Sequence, residues 1–386
     1  SGEWSHQYAD PGNTACSEDM RISGDLRLQW YGKPGPYRMF DRHSYTTAPV
    51  YNSGRLFTLG EKILYANDAY NGRLLWEKEL PSLEPRVNLP RDCGYMVTDR
   101  DHVYLAIENN CIKVNARSGK TETEFNCPKI DDDHDYNWGY VATTDGLLFG
   151  SSVRSGNFYT EGRGPWYDDS GFNNAQDSHK VLSDCLFAVD LAGNSQAWKY
   201  NGVIINSTIA IGGDQIYFVE NRNPKVLQDK SRRLSGGKEW MALHLVALDV
   251  KTGKRVWDKD MQFEQRTPVF FSTYKDGTLI VLRSSPKSFD LRAIDAKSGK
   301  PLWNRDHGWE NNHHGAHRRH PVIIGDVVYQ QPLAYDLKTG KEKWSTSKVG
   351  VGGNCGTLSA SSTMLFSRLS DYPGFIDSGK GMKKEN

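Results

Sequence analysis

The sequence predicts an all-β protein, a β-propeller of four-stranded antiparallel blades, and two observations carry the prediction. The first is a recurring unit in which an apolar, alternating run leads into Asp-x-x-x-Gly-x-x-x-Trp. The second is composition: 37 Gly beside 11 Trp, 19 Tyr and 14 Phe combines many turns with many large strand-favouring side chains.

Four copies of the unit keep the same internal spacing: Asp68, Gly72, Trp76; Asp249, Gly253, Trp257; Asp295, Gly299, Trp303; and Asp336, Gly340, Trp344. Two looser copies lie between them. One has Asn115 for the Asp and Phe125 for the Trp; the other has Gly193 one place early and ends at Trp198. The run before each Asp alternates with period two, as in a strand with one buried face. Asp bonds its own turn backbone and Gly takes a positive φ, so the two close a hairpin. The Trp then lies on the returning strand and packs between neighbouring sheets.

Two further strands precede each unit, as in HPVIIG, a Gly325-Asp326 turn and VVYQQP, which completes a four-stranded blade. The units ending at Trp76, Phe125, Trp198, Trp257, Trp303 and Trp344 make six blades. The segment DLRLQW, ending at Trp30, reads as a fourth strand for the C-terminal strands TLSASSTMLFSR and GFIDSGKG. N- and C-terminal strands would then close a ring of seven blades without free edges, with eight left open. The whole chain, 1–386, is one domain on this reading. Two polar, Gly-rich stretches without period, 152–180 and 221–240, are expected to be loop insertions, the first carrying Phe158, Tyr159, Trp166 and Tyr167.

Bulk properties exclude several classes. Lys plus Arg (48) nearly equals Asp plus Glu (47), so no basic surface awaits a nucleic acid. No apolar run reaches the length of a membrane span. The six cysteines form no C-x-x-C or haem motif; as an even number they allow up to three disulfides or buried free thiols. Gly350-Val351-Gly352-Gly353 lacks the context of a phosphate loop, and no Gly-x-Ser-x-Gly elbow is present.

The repeats resemble the quinoprotein-like, PQQ-type propellers over nearly the whole chain. The stretches YADPGNTACS, PGPYRMFDRH, INSTIAIGGDQIYFVE, HHGAHRRHPVIIGD and NCGTLSASSTMLFSR resemble an exported, planctomycete-type subgroup of obscure function. The resemblance implies an extracytoplasmic location, periplasmic or secreted. Quinone-dependent dehydrogenases of this fold hold their cofactor beside a ring of adjacent cysteines, with calcium. This sequence has no Cys-Cys pair, which counts against PQQ. Assembly lipoproteins of the same fold are scaffolds without a catalytic cluster.

In such a ring, loops joining one blade's outer strand to the next blade's inner strand meet in a funnel on one face. Here they span 31–47, 80–95, 126–139, 199–207, 258–268, 304–321 and 345–357. They carry Arg42 and His43; Arg86, Arg91 and Asp92; the run Asp131 to Trp138; Glu264 and Arg266; His313, His314, His317, Arg318, Arg319 and His320; and Asn354. Three readings follow. In the leading one, an enzyme cleaves an acidic, uronic polysaccharide by lyase-type chemistry, with His43, His317 and His320 as acid–base groups and Arg42 and Arg319 offsetting substrate charge. Arg91, Trp138, Tyr159, Trp166, Arg266 and Asn354 would then bind the polymer. In the second, the funnel binds a protein partner as a scaffold. In the third, it serves a quinone- or metal-dependent oxidoreductase, with His313, His317 and His320 around a divalent ion, calcium or zinc. The Asp131–Asp135 run lacks EF-hand spacing and is expected to be a solvated acidic loop.

Overall fold

The protein is described from a computed structural model covering residues 2–24, 27–31, 38, 46–86, 89, 92–158, 180–234, 240–261, 269–285, 288–308, 319–345, 358–368, 373–377 and 381–383. Among these residues, strands follow one another as antiparallel four-stranded units at 50–79, 96–126, 136–205, 210–261, 270–308, 322–345 and 359–383. The third and fourth units are joined edge to edge through Ile204 and Glu220 into one nine-stranded sheet. Every unit meanders from an inner strand outwards, and the buried side chains of facing units fill the space between them.

The repeat works as its residue types require. In the fourth unit Asp249 Oδ1 accepts the Lys251 and Thr252 amides at 3.2 and 2.8 Å and the Thr252 hydroxyl at 2.7 Å. Gly253 adopts φ +65°, and a Cβ there would lie 2.6 Å from Cδ2 of Trp198 on the preceding unit. The glycine therefore answers two demands, the left-handed turn and the close approach of the indole. Trp198 Nε1 in turn donates to the Val250 carbonyl at 2.9 Å. The same indole-to-carbonyl bond links Trp76 to Ala116, Trp257 to Ala296 and Trp303 to Leu337, at 3.1, 2.9 and 3.0 Å. In the loose third copy the positive φ (+48°) falls on Asn194 instead of Gly193, since Asn tolerates that region.

Closure differs from the expected sharing of a sheet. The C-terminal strands Ser359–Ala360, Met364–Arg368, Pro373–Asp377 and Gly381–Lys383 pair among themselves, so the last unit draws its fourth strand from adjacent sequence. Trp30 still docks as an outer-strand Trp would, its Nε1 donating to Ala69 O at 3.0 Å with its ring against Gly72.

The N-terminal segment instead ties the ring together as a strap. Its backbone bonds in succession to Tyr51, Thr98, Ile211, Tyr274, Ile323 and Ala360, through Trp4, Ser5, Pro11, Gly12, Thr14 and Ala15. His6 adds the Thr143 amide at 3.2 Å. Each of these partners lies on the inner strand of a different unit. Most sit at or near that strand's C-terminal end, opposite the face crossed by the unit-to-unit loops.

The second insertion is not plain loop. It holds a short helix, Pro224–Gln228, capped by the Asn223 side chain, and a strand, Arg233–Leu234, paired with Lys180 and Val181. Of the first insertion, 159–179 lie outside the described residues. Cys16, Cys93, Cys111, Cys127 and Cys185 are free thiols, which removes the three-disulfide option; Cys355 lies outside the described residues. Among the described residues no helix is long and apolar enough to cross a membrane.

Candidate functional site

The strap converts the axis of the ring into a one-ended space. Above it lies a small chamber of about 30 Å³, lined by strap residues such as His6 and Tyr8 and by Asp92, Asn206, Ser207 and Phe271 from separate units and loops. Its polar side is a chain of buried groups. Asn206 Nδ2 donates to Asp92 Oδ1 at 3.1 Å, and Asn206 Oδ1 accepts from Ser183 Oγ at 2.5 Å and Ser151 Oγ at 3.3 Å. Cys93 Sγ also points to Asp92 Oδ1, at 3.3 Å. Burial raises the Asp92 pKa, with Arg86 acting against that rise, and burial pushes the Cys93 thiol far up, so the thiol is not a nucleophile.

Arg86 is itself buried. It donates to the carbonyls of Gly139 (2.8 Å) and Trp138. Its guanidinium lies 3.7 Å from the Phe158 ring centre and 4.7 Å from that of Tyr95. The root of the first insertion is thus stacked on a cation of the axial network. Arg233 of the second insertion holds the same root, donating to the carbonyls of Asn157, Gly156 and Phe158 at 3.1, 3.2 and 3.2 Å.

Three of the residues expected to act on a ligand are among those described, and each is buried. Trp138 is wholly inside the third unit, edge-on to Phe187 at 4.8 Å, with Nε1 bonded to Tyr140 O. It is a core residue, which corrects its assignment to polymer binding: its strand register turns the indole into the sheet interface. His320 is 1% exposed and stacks on Tyr8 at 3.7 Å, with Phe271 at 4.7 Å. Its Nδ1 is bonded to Pro321 O at 2.6 Å, and burial lowers its pKa to about 3, so the ring is neutral. It anchors the strap at the axis, a packing role beside the acid–base or metal-ligand role expected of it. Arg319 is also buried. Arg42, His43, Arg91, Tyr159, Trp166, Arg266, His313, His317 and Asn354 lie outside the described residues.

The acidic run is solvated at Asp132, Asp133 and Asp135, as expected, while Asp131 is engaged. Asp131 Oδ1 bonds His134 Nδ1 at 2.9 Å, and that bond leads in holding the Asp131 carboxyl down at about 2. The Tyr136 hydroxyl lies between Asp131 (2.9 Å) and Asp184 (3.1 Å), and Asp184 is paired with Arg154 and Arg232. This chain borders a polar cleft of about 500 Å³ on the loop face, lined also by Glu84 and Glu108.

Asn206 and Ser207 were not expected as axial residues. They sit in a three-residue turn, Asn206–Thr208, at the end of the expected funnel loop 199–207, where their residue types did not single them out. Asp92 and Arg86 were visible as loop residues, but their burial depends on distant segments: the strap beside Asp92, and Gly139, Trp138 and Phe158 around Arg86.

A ring of antiparallel four-stranded units around a strapped axis defines a single-chain β-propeller. The sequence profile of a family described as outer membrane protein assembly factor BamB matches residues 241–370. Among solved structures, a europium-containing methanol dehydrogenase aligns with a TM-score of 0.63 at 11% identity, over 100% of this chain and 85% of the other. Quinohemoprotein alcohol dehydrogenase from Comamonas testosteroni aligns with a TM-score of 0.59 at 13% identity, over 98% of this chain and 72% of the other. No curated protein sequence matches the chain. The chain has the fold of these propellers, and its residues 241–370 are similar to a PQQ-type repeat family.

The axial chamber does not fit the cofactors that those two relatives' names carry. A chamber of about 30 Å³ is far below the roughly 300–1,000 Å³ of pockets that enclose sizeable ligands. Among the described residues no three His, Cys, Asp or Glu converge as a metal shell.

Proposed function

We propose that the protein is an extracytoplasmic propeller that takes its ligand on the loop face of the ring, and that this ligand is a carbohydrate, most simply an acidic polysaccharide. The observation that carries the reading is the strap: it closes the opposite end of the axis, so the loop face is the way in to the polar groups around Asp92. Planar amides and carboxylates at Asp92, Asn206, Glu84 and Glu108 suit hydroxyl groups, which both donate and accept. If the polymer is cleaved, the reaction is β-elimination, with His43 and His317 moving the proton and Arg42 offsetting the uronic carboxylate.

The test is calorimetry and ultraviolet absorbance with polygalacturonate, alginate and a neutral glucan. Binding, with a rising absorbance from the new double bond that is lost in His317→Ala, supports the full reading. Binding without absorbance change leaves a carbohydrate-binding propeller. No binding to any of the three polymers sinks it.

The match of residues 241–370 to an assembly-factor family favours a second reading, a protein scaffold. That reading expects a partner that co-purifies equally well with wild type and with His317→Ala.

A further inference from the structure

Two polar atoms at the axial chamber have no partner. Asp92 Oδ2 and Ser207 Oγ are both buried from solvent, and neither makes a hydrogen bond. Their residues are 1% and 8% exposed, and both line the chamber. A buried carboxylate oxygen left unpaired costs free energy, and one orphan would already call for an explanation. Two orphans lining one small space point to a single occupant that satisfies both.

The chamber states what that occupant must be. At about 30 Å³ it admits one or two heavy atoms, not a ring. Asp92, when ionised, only accepts, so the occupant must donate. Ser207 can donate or accept, so an occupant of either kind satisfies it. Arg86 already offsets the Asp92 charge through space, which favours a neutral donor over an ammonium. Phe271, Ile209 and Val141 give the chamber apolar sides, which suit a carbon carrying the donor at its tip.

We propose that the axial chamber is a hydroxyl site in which Asp92 Oδ2 and Ser207 Oγ hold one O–H group, either of a resident water or of a carbohydrate entering from the loop face. The carbohydrate half rests on the function proposed above; the site itself does not. Asp92 fixes the donor direction, and the Asn206–Ser183–Ser151 chain fixes Asp92, since each of its members is held by another strand. The strap residues His6 and Tyr8 form the floor and set the depth.

High-resolution crystals of the full chain, alone and soaked in oligogalacturonate, test the site. Ligand-free crystals are expected to show one oxygen within hydrogen-bond reach of both atoms, and Asp92→Leu is expected to lose it. In soaked crystals, replacement of that oxygen by a sugar hydroxyl, with about tenfold weaker binding in Ser207→Ala, identifies the ligand as its source. An unchanged oxygen identifies water. Should Asp92→Leu fail to fold, Ser207→Ala carries the test alone, through displacement or loss of the oxygen. A chamber empty in both wild-type crystals overturns the inference. An occupied chamber in a protein that binds no carbohydrate keeps the site and removes the proposed function.

Discussion

The rim and the axis of this ring place aspartates in opposite circumstances. At the rim, Asp249, Asp295 and Asp336 sit in exposed hairpins. Each is satisfied within three residues by its own turn, and those hydrogen bonds hold each carboxyl below the usual range. At the axis, Asp92 is buried, its pKa is raised, and its bonded partner of another segment, Asn206, is 114 residues away. A rim aspartate needs only its neighbours; the axial one needs the whole ring. Rim damage should therefore stay local, while axial damage should spread.

The largest effect expected is from removing residues 1–17. Strap bonds reach the inner strands of all the described units, so their loss should abolish a single cooperative unfolding transition in calorimetry. A deletion variant that melts like wild type would erase the distinction between rim and axis. Next comes Trp257→Ala, which empties a buried seat between the fourth and fifth units. It should cost about 3–5 kcal/mol in denaturant unfolding while leaving the axial chamber unchanged. Gly253→Ala should cost about 1–3 kcal/mol, because the new Cβ meets both a positive φ and the Trp198 ring. Asp249→Ala should cost only about 1 kcal/mol, since its turn stays open to water.

The axis also gives a pH signature. Burial lowers His6 and His320 to about 3, from an ordinary 6.5. The unfolded chain therefore binds protons first as pH falls. The stability these neutral rings contribute is complete above about pH 6.5 and declines from there towards pH 3. Asp10 and Asp92, both raised by burial, act in the opposite direction at the acid end. Melting temperature should thus fall as pH drops below neutrality, and His6→Gln should flatten that slope. An unchanged slope would mean that His6 is not the buried neutral ring described.

Particular residues show how far the sequence reached. The funnel loops were placed from the repeat alone, and Asp92, Arg86 and His320 do come to the axial region through them. Their roles were not legible. His320 was read by its residue type as a reactive group, whereas its stack on Tyr8 makes it packing. Trp138 was read as a polymer-binding aromatic of a polar loop, although it lies buried in an inner strand. The strap had no period and no repeat, so nothing in residues 4–17 announced that they cross the axis.

What the sequence by itself determined is the repeating unit: the strand, the Asp–Gly hairpin and the Trp that seats on the next unit. All of its parts lie within one pair of neighbouring strands, and period and turn chemistry act at that range. What only the tertiary structure decided is the axis: which face is sealed, which carboxylate is buried, and which two polar atoms are left without partners. Those facts depend on contacts between residues as far apart as Thr14 and Ile323, or Asn13 and Ser272. Burial is a property of everything that surrounds a side chain, and no short window of sequence contains it.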